Sequence, residues 1–101
     1  MDYQAKTNAN EIEFVMRGKL TTNDHKKFRD MVHSDGCNGQ ARVILNMKDI
    51  DFIDSAGIGM LLYANKLGTH QGWTLVIAQP SAQVRKMVDV CKLDKLVSVR
   101  D

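Results

Sequence analysis

One serine, Ser55, lies where its hydroxyl could take part in a reaction or cap a helix. Ser55 lies in residues 51–62, DFIDSAGIGMLL, a segment that changes from acidic to glycine-rich to apolar within twelve positions. A serine hydroxyl at such a point can act as a nucleophile, accept a phosphoryl group, or cap a helix by accepting hydrogen bonds from backbone N–H groups. The residues around Ser55 decide among these three roles.

Catalysis at Ser55 is disfavoured by its neighbours. The nucleophile elbow of hydrolases has the pattern G-x-S-x-G, and Ile53 occupies the position of its first glycine. Nothing in the sequence arranges a histidine as the base for such a nucleophile; the three candidates are His25, His33 and His70. Residues 57–66, GIGMLLYANK, place no Lys and Ser or Thr in register for a phosphate-binding loop. The sequence therefore predicts a protein that is not an enzyme and has no cofactor.

Strand patterns are found on both sides of Ser55. Residues 3–8 are weakly strand-like and residues 11–18, EIEFVMRG, alternate apolar and polar side chains, which together predict an N-terminal hairpin. The short apolar runs 42–47, RVILNM, and 73–78, WTLVIA, are typical of strands that are covered on both faces. Residues 95–99, KLVSV, are predicted as the last strand.

Helical patterns separate the later strands. They run from Asn23 or Asp24 to Gly36, from a cap at Asp54 or Ser55 to about His70, and from Ser81 to Cys91. Two buried strands joined through a helix form a parallel pair with a right-handed crossover. The predicted fold is a single α/β domain over residues 1–101, with the order ββαβαβαβ, a mixed sheet of four to five strands and about three helices.

This order places Ser55 at the carboxyl end of a central strand, where functional groups collect in open α/β sheets. Gly57 and Gly59 lack a Cβ and would let the following helix approach the sheet or a partner closely, at roughly 1 kcal/mol of helix propensity each relative to Ala. A phosphoryl group on Ser55 would add about −1.5 to −2 charges at a helix N-terminus, which can hold them. A partner docked there would be displaced. The other role left open by these residues is that Ser55 only caps the helix.

Three segments together resemble the STAS domain, in particular the single-domain anti-sigma-factor antagonists of bacterial partner-switching systems. The segments are FVMRGKL at 14–20, VILNMKDIDFIDSAGIGMLL at 43–62 and GWTLVIAQPSAQVRKMVDVCKLDKLV at 72–97. The most specific part is a strand of the V-x-L-N type, then an acidic and aromatic turn, and then Asp-Ser-x-Gly-x-Gly/x leading into an apolar helix. The resemblance covers nearly the whole chain and implies the STAS fold.

The resemblance also implies a cycle of phosphorylation at Ser55. A GHKL-type serine kinase, often itself the anti-sigma factor, would phosphorylate the serine, and a PP2C-type phosphatase would remove the phosphate. Only the unphosphorylated form would bind the kinase or another target. Contacts with this partner are implied for Asp54 and for the start of the next helix, which comprises Ala56, Gly57 and Ile58.

One departure from the family pattern concerns the loop after the second strand. Family members commonly carry an Asp directly after G-x-L, whereas GKL is followed here by Thr21, and Asp24 comes three positions later. Either Asp24 takes over from a shifted loop or the acidic group is dispensable, and both residues are candidates for partner contacts. Other family members are scaffolds or transporter accessory subunits, so a constitutive interaction module with Ser55 as a helix cap is the alternative function.

Composition limits the partners and the compartment. Fourteen Lys and Arg against twelve Asp and Glu leave a net charge of +2, which lacks the basic excess of nucleic-acid-binding domains. No stretch approaches the roughly 18 apolar residues of a membrane helix, and residues 1–14 lack the pattern of a signal peptide, which predicts a cytoplasmic protein without a membrane span. Neither cysteines nor histidines have metal-ligand spacing, so Cys37 and Cys91 are expected to be reduced thiols and no metal site is predicted.

Overall fold

Five strands form one mixed sheet in the predicted order. The computed structural model describes residues 1–101, apart from the side chain of Asp35. The elements are β1 (Asp2–Thr7), β2 (Glu11–Leu20), α1 (His25–Val32), β3 (Arg42–Ile53), α2 (Ser55–Gln71), β4 (Thr74–Ala78), α3 (Ala82–Val90) and β5 (Ser98–Arg100). Short 3-10 turns lie at Thr22–Asp24, Asp35–Cys37 and Leu93–Lys95. The order ββαβαβαβ, the mixed sheet and the three helices agree with the sequence prediction.

Neighbours in the sheet are also neighbours along the chain. The strand order is β1-β2-β3-β4-β5; β1 pairs antiparallel with β2 and all other pairs are parallel. Each parallel pair needs a crossover, which α1, α2 and α3 supply in turn. Right-handed crossovers between adjacent strands place every connecting helix on the same side of the sheet. β3 is thereby the central strand, with β2 and β4 on its two sides.

The main core lies between this side of the sheet and the three helices. It combines alternate strand residues with residues of every helix, among them Val43, Leu45, Met47, Phe28, Leu61 and Val84. The intervening strand residues Ile44, Val76 and Ala78 form a separate small cluster. Because successive strand side chains point to opposite faces, this second cluster belongs to the other side of the sheet.

The central strand is longer than its apolar run. β3 continues to Ile53, six residues beyond the predicted end at residue 47. Its second half stays paired with β2 through two register shifts within residues 15–19. The buried residues Ile50 and Ile53 are three positions apart, with exposed residues between them, so the two-residue period of a strand is lost. The acidic and aromatic turn predicted between this apolar run and Asp54 is therefore wrong, and residues 48–53 are strand.

Other boundaries also differ from the sequence patterns. The last strand is confined to Ser98–Arg100 because residues 93–95 form a 3-10 turn that buries Leu93 and Val97 in the core. Likewise α1 begins only at His25, after the 3-10 turn of residues 22–24, and it ends at Val32 rather than at the predicted stop Gly36, which lies in the 3-10 turn of residues 35–37. At each of these boundaries a tight 3-10 turn takes the place of the regular element that the pattern predicts.

Two glycines of α2 have opposite surroundings. A Cβ at Gly68 would lie 2.5 to 2.6 Å from the ring and carbonyl oxygen of Trp73, which is itself only 4% exposed. A Cβ at Gly59 would meet no atom within 4 Å. Of the two glycines predicted to allow close approach, Gly57 does so, as shown below, whereas the prediction is wrong for Gly59, which packs against nothing in the chain. The close approach at Gly68 is not predicted from the sequence.

This difference predicts opposite effects of the same substitution. Gly68→Ala should lower the free energy of unfolding by about 1 to 3 kcal/mol, because the new methyl group overlaps the Trp73 ring and backbone. Gly59→Ala should raise it by roughly 0.5 to 1 kcal/mol, the difference in helix propensity. Urea unfolding followed by circular dichroism measures both, and a Gly68→Ala variant as stable as the parent would contradict the packing described.

Candidate functional site

Asp54, not Ser55, caps the second helix. The backbone of Asp54 is extended, with φ −107° and ψ −173°, and its carboxylate Oδ1 accepts a hydrogen bond of 2.9 Å from the N–H of Gly57. Ser55 is the first residue of α2. Its side chain is exposed and has no hydrogen-bond partner among the side chains and backbone groups that the structure describes. The alternative in which Ser55 serves as the helix cap is therefore wrong, and its hydroxyl points to solvent at a helix N-terminus.

The first turn of α2 rests on the end of β2. A Cβ at Gly57 would lie 2.5 Å from the carbonyl oxygen of Leu20, so only glycine fits between helix and strand. The N–H of Asp54 approaches the same oxygen at 3.5 Å. Gly57 and Ile58 are buried, the latter 6% exposed, whereas Ala56 is half-buried at the surface. Gly57 and Ile58 thus position the turn that presents Ser55 and Ala56.

The carboxylate of Asp24 is occupied within its own loop. Its Oδ2 accepts hydrogen bonds from the backbone N–H of Thr21 at 2.9 Å and from the Thr21 hydroxyl at 3.3 Å. Its Oδ1 lies 2.8 Å from the Met1 amine. Burial acts to raise the pKa of Asp24, but these hydrogen bonds outweigh it and lower the pKa below its usual range. Asp24 therefore holds the shape of the loop that follows β2, beside the start of α2.

Two polar residues of the third helix hold the strand that leads to Ser55. The Gln83 side chain accepts from the N–H of Ile53 at 2.8 Å and donates to its carbonyl oxygen at 3.1 Å. The Ser81 hydroxyl donates to the carbonyl oxygen of Ile50 at 2.6 Å. Ser81 does stand at the predicted start of α3, but its side chain bonds β3 instead of capping the helix. The sequence does not reveal these positioning roles, because its pattern predicts a turn where the structure has the strand segment that they bind.

An exposed aromatic side chain also lies near Ser55. Phe52 is 41% exposed and stands three residues before the serine. On the neighbouring strand its partner is Lys19, which is exposed as well. In the sequence, Phe52 counts only as the aromatic residue of the acidic and aromatic segment before Asp54, and Lys19 carries no signal. The signal that could have found Phe52 is an aromatic residue beside the acidic pair Asp51 and Asp54, which becomes meaningful only once residues 48–53 are known to be strand.

The described residues also bear on metal binding, membrane insertion and thiol chemistry. Within residues 1–101, the Asp35 side chain excepted, no three or more His, Cys, Asp or Glu side chains are grouped to hold a metal ion. None of the helices described is both long enough and apolar enough to cross a membrane. Both cysteines are free; Cys37 is buried, which raises the pKa of its thiol, and Cys91 is exposed. What the site offers is one accessible hydroxyl at a helix N-terminus.

Comparison with protein families gives a match over almost the whole chain. The model of the STAS domain matches residues 2–101. A curated relative, the anti-sigma F factor antagonist of Paenibacillus polymyxa, is 27% identical over 59 residues. That match covers 58% of this chain and 50% of the relative, so it spans half of the relative's length.

Several solved structures have the same fold. A Thermotoga maritima protein proposed to be an anti-sigma factor antagonist superimposes with a TM-score of 0.84 at 16% identity, covering 98% of this chain and 86% of that one. The anti-sigma factor antagonist SpoIIAA of Bacillus has been solved in two forms, each 17% identical to this chain and each matching 97% of it. The unphosphorylated form gives a TM-score of 0.78 with 87% of its own chain covered. The phosphorylated form gives 0.72 with 90% covered. A sulfate transporter family protein of Wolinella succinogenes gives 0.79 at 14% identity, covering 95% and 80%. At these identities the likeness concerns the fold.

The capping geometry predicts different effects at two adjacent residues. Asp54→Ala should lower the free energy of unfolding by about 1 kcal/mol, because the N–H of Gly57 loses its acceptor. Ser55→Ala should change it by less than about 0.5 kcal/mol, since the Ser55 side chain is exposed and makes no hydrogen bond to the residues described. Chemical denaturation of the two variants measures this difference. A larger loss for Ser55→Ala than for Asp54→Ala would show that the cap has been misassigned.

The lowered pKa of Asp24 predicts a pH dependence. The folded-state pKa lies below the unfolded value of about 4, so the ionised carboxylate contributes stability above that pH and loses it as the pH falls through the folded-state pKa. Asp24→Asn should therefore destabilise the protein at about pH 7 and much less at about pH 3. Asp30→Asn is the control, because its ion pair with Lys26 is exposed and contributes little. Equal losses for Asp24→Asn at both pH values would refute the linkage.

Proposed function

This chain belongs to the STAS domain family, and on that basis we propose that it is an anti-sigma-factor antagonist whose binding is switched by phosphorylation of Ser55. The unphosphorylated form binds an anti-sigma factor that is also a serine kinase, and so releases the target of that factor. Phosphorylation blocks the binding and a phosphatase restores it. The single observation that carries the proposal is the exposed Ser55 hydroxyl, which is free of the capping role because Asp54 performs it.

The helix N-terminus suits a phosphoserine. The first N–H groups of a helix lack partners within the helix, and the Asp54 side chain engages only that of Gly57. The N–H groups of Ser55 and Ala56 can therefore face a phosphate, and the helix dipole favours its charge. The domain needs no rearrangement to carry the group. The chain contributes only the acceptor, which agrees with a protein that is not an enzyme.

Group transfer at Ser55 is carried out by the partners. A GHKL-type kinase transfers the γ-phosphoryl group of ATP to the Ser55 oxygen; the bond to ADP breaks as the bond to serine forms, and the hydroxyl proton passes to a base of the kinase. A PP2C-type phosphatase hydrolyses the phosphoserine with water and releases inorganic phosphate. Because the proposed kinase reaction consumes ATP, we propose a cytoplasmic location for the protein.

The same phosphate interferes with a docked partner. It brings about −1.5 to −2 charges to a surface that already carries Asp51 and Asp54. A partner that accepts the neutral hydroxyl must then bury an unpaired doubly charged group, which costs several kcal/mol. Contacts are proposed for Ala56 beside Ser55 and for the loop of Thr21 and Asp24, with Gly57 and Ile58 holding the turn from inside. The name of the Paenibacillus polymyxa relative and the two forms of SpoIIAA support this proposal.

The alternative is a constitutive interaction module. It is favoured by one observation, the likeness to a sulfate transporter family protein, which indicates that the same fold also occurs with transporters. In such a scaffold or accessory subunit Ser55 takes no part in switching. The two proposals differ in whether a negative charge at residue 55 changes binding.

The test is phosphorylation and binding with purified GHKL-type kinases from the source organism. With ATP, one phosphoryl group should appear on Ser55 by mass spectrometry, should be absent in Ser55→Ala, and should remain in Ser98→Ala, which removes another exposed serine. Ser55→Asp should weaken binding to that kinase roughly a hundredfold, whereas Ser55→Ala should bind as the parent does.

Two outcomes decide against switching. Phosphate on a residue other than Ser55 removes the acceptor role. Equal binding of Ser55→Ala and Ser55→Asp to the same partner supports the constitutive module instead.

A further inference from the structure

A groove separates the first two helices next to Ser55. Its volume is about 320 Å³, and it is lined from α1 by His25, Phe28 and Arg29 and from α2 by Gly59, Met60 and Tyr63. Ala56, the residue after Ser55, lines it as well. The floor is apolar, because Phe28 and Met60 are core residues, 1% and 4% exposed. We call this surface the α1–α2 groove.

The depth of the groove depends on Gly59. A glycine within a helix is unfavourable, and here no contact inside the chain requires it, since a Cβ at this position would meet nothing within 4 Å. The other glycine of the first turn, Gly57, is required by its contact with Leu20. The absence of a side chain at Gly59 therefore shapes the surface, because it leaves room for a group from outside to approach the helix backbone.

The α1–α2 groove has a cationic edge, which is formed by Arg29. On α1, Lys26 pairs with Asp30 and Lys27 with Asp2, each at 2.9 Å. Arg29 is exposed and has no carboxylate within 4 Å among the side chains that the structure describes. The unpaired cation of this helix thus lies at the apolar groove rather than on the outer face.

The far wall of the groove is held in place. The hydroxyl of Tyr63 on α2 hydrogen-bonds Nε2 of His33, which directly follows α1. This contact links the two helices across the surface and restricts the rotamers of Tyr63. An aromatic side chain that is 40% exposed yet fixed by a hydrogen bond offers contact area at a low entropic cost.

We propose that the α1–α2 groove binds an apolar side chain of the partner protein, while a carboxylate of the same partner segment pairs with Arg29. The occupant is a polypeptide, because Ala56, which lines the groove, directly follows the exposed Ser55, and one segment of the partner can cover both residues. This inference rests on the proposed function for the identity of the partner, the kinase or anti-sigma factor. It adds the chemistry that the partner must present: an acidic residue next to a large aliphatic or aromatic one.

The chemistry can be tested without the partner, by NMR titration of the ¹⁵N-labelled chain. The probes are N-acetyl-Leu-Glu-amide and, as the charge-reversed control, N-acetyl-Leu-Lys-amide. The acidic probe should shift the amide resonances of Ala56, Gly59 and Met60 and bind at least about fivefold more tightly than the basic one. Arg29→Glu should abolish this preference, whereas Lys95→Glu, the same charge change on a distant turn, should keep it.

Three outcomes of the titration overturn the proposal. They are equal binding of the two peptides, shifts confined to residues outside the groove, and tighter binding of hexanoate than of the acidic peptide. The last outcome would make the groove a small-molecule pocket.

A second arm uses the kinase identified by its reaction with Ser55. Gly59→Leu fills the groove and should slow phosphorylation of Ser55, mainly through a higher KM, and Arg29→Glu should do the same. Gly59→Ala, a smaller group, should have a smaller effect, and thermal unfolding verifies that each variant is folded. Unchanged KM values in Gly59→Leu and Arg29→Glu would refute the docking of this kinase in the groove.

The proposed switching function and the proposed docking in the α1–α2 groove can be refuted independently of each other. If the acidic peptide binds in the groove but no kinase phosphorylates Ser55, the groove stands and the switching function is lost. If Ser55 is phosphorylated at rates that Arg29→Glu and Gly59→Leu leave unchanged, the function stands and the groove is refuted.

Discussion

The first turn of α2 lies directly on the carbonyl oxygen of Leu20, and this contact is possible only because residue 57 has no side chain. It determines the position of the helix relative to the ends of β2 and β3. Asp54 then caps the helix from an extended backbone, and Ser55 becomes its first, exposed residue. A larger residue at position 57 would lift the turn from the sheet, and the cap, the serine and the adjoining loop would all move with it.

The polar side chains around this turn make separate hydrogen bonds, each of which holds a different part of it. Asp24 accepts hydrogen bonds within its own loop, and Asp54 accepts from the N–H of Gly57. Gln83 of the third helix binds both backbone groups of Ile53, so the end of the central strand is held on its other side. Every carboxylate and amide in this list is engaged by the fold itself. The Ser55 hydroxyl is not engaged in this way, which is what the proposed phosphorylation requires.

Close packing at this end of the sheet matters for the proposed switch, which would act by charge. A phosphoryl group on a mobile loop could turn away from a docked partner, whereas one on the first residue of a packed helix stays at the contact surface. The α1–α2 groove lies beside the same turn, with its apolar floor built from core residues and its Arg29 unpaired among the residues described. The surface near Ser55 therefore combines a modifiable group, an apolar recess and a cation on one rigid frame.

Local sequence pattern alone determined which strands and helices form and in what order, because periodicity and capping are properties of neighbouring residues. It also determined that Ser55 lies at a strand-to-helix junction. It did not reveal that residues 48–53 continue β3, since register shifts against β2 break the two-residue period. Nor could it choose between Asp54 and Ser55 as the cap, because both side chains offer an oxygen. Only the packing of Gly57 on Leu20 decides where the helix begins, and that contact joins residues far apart in the chain.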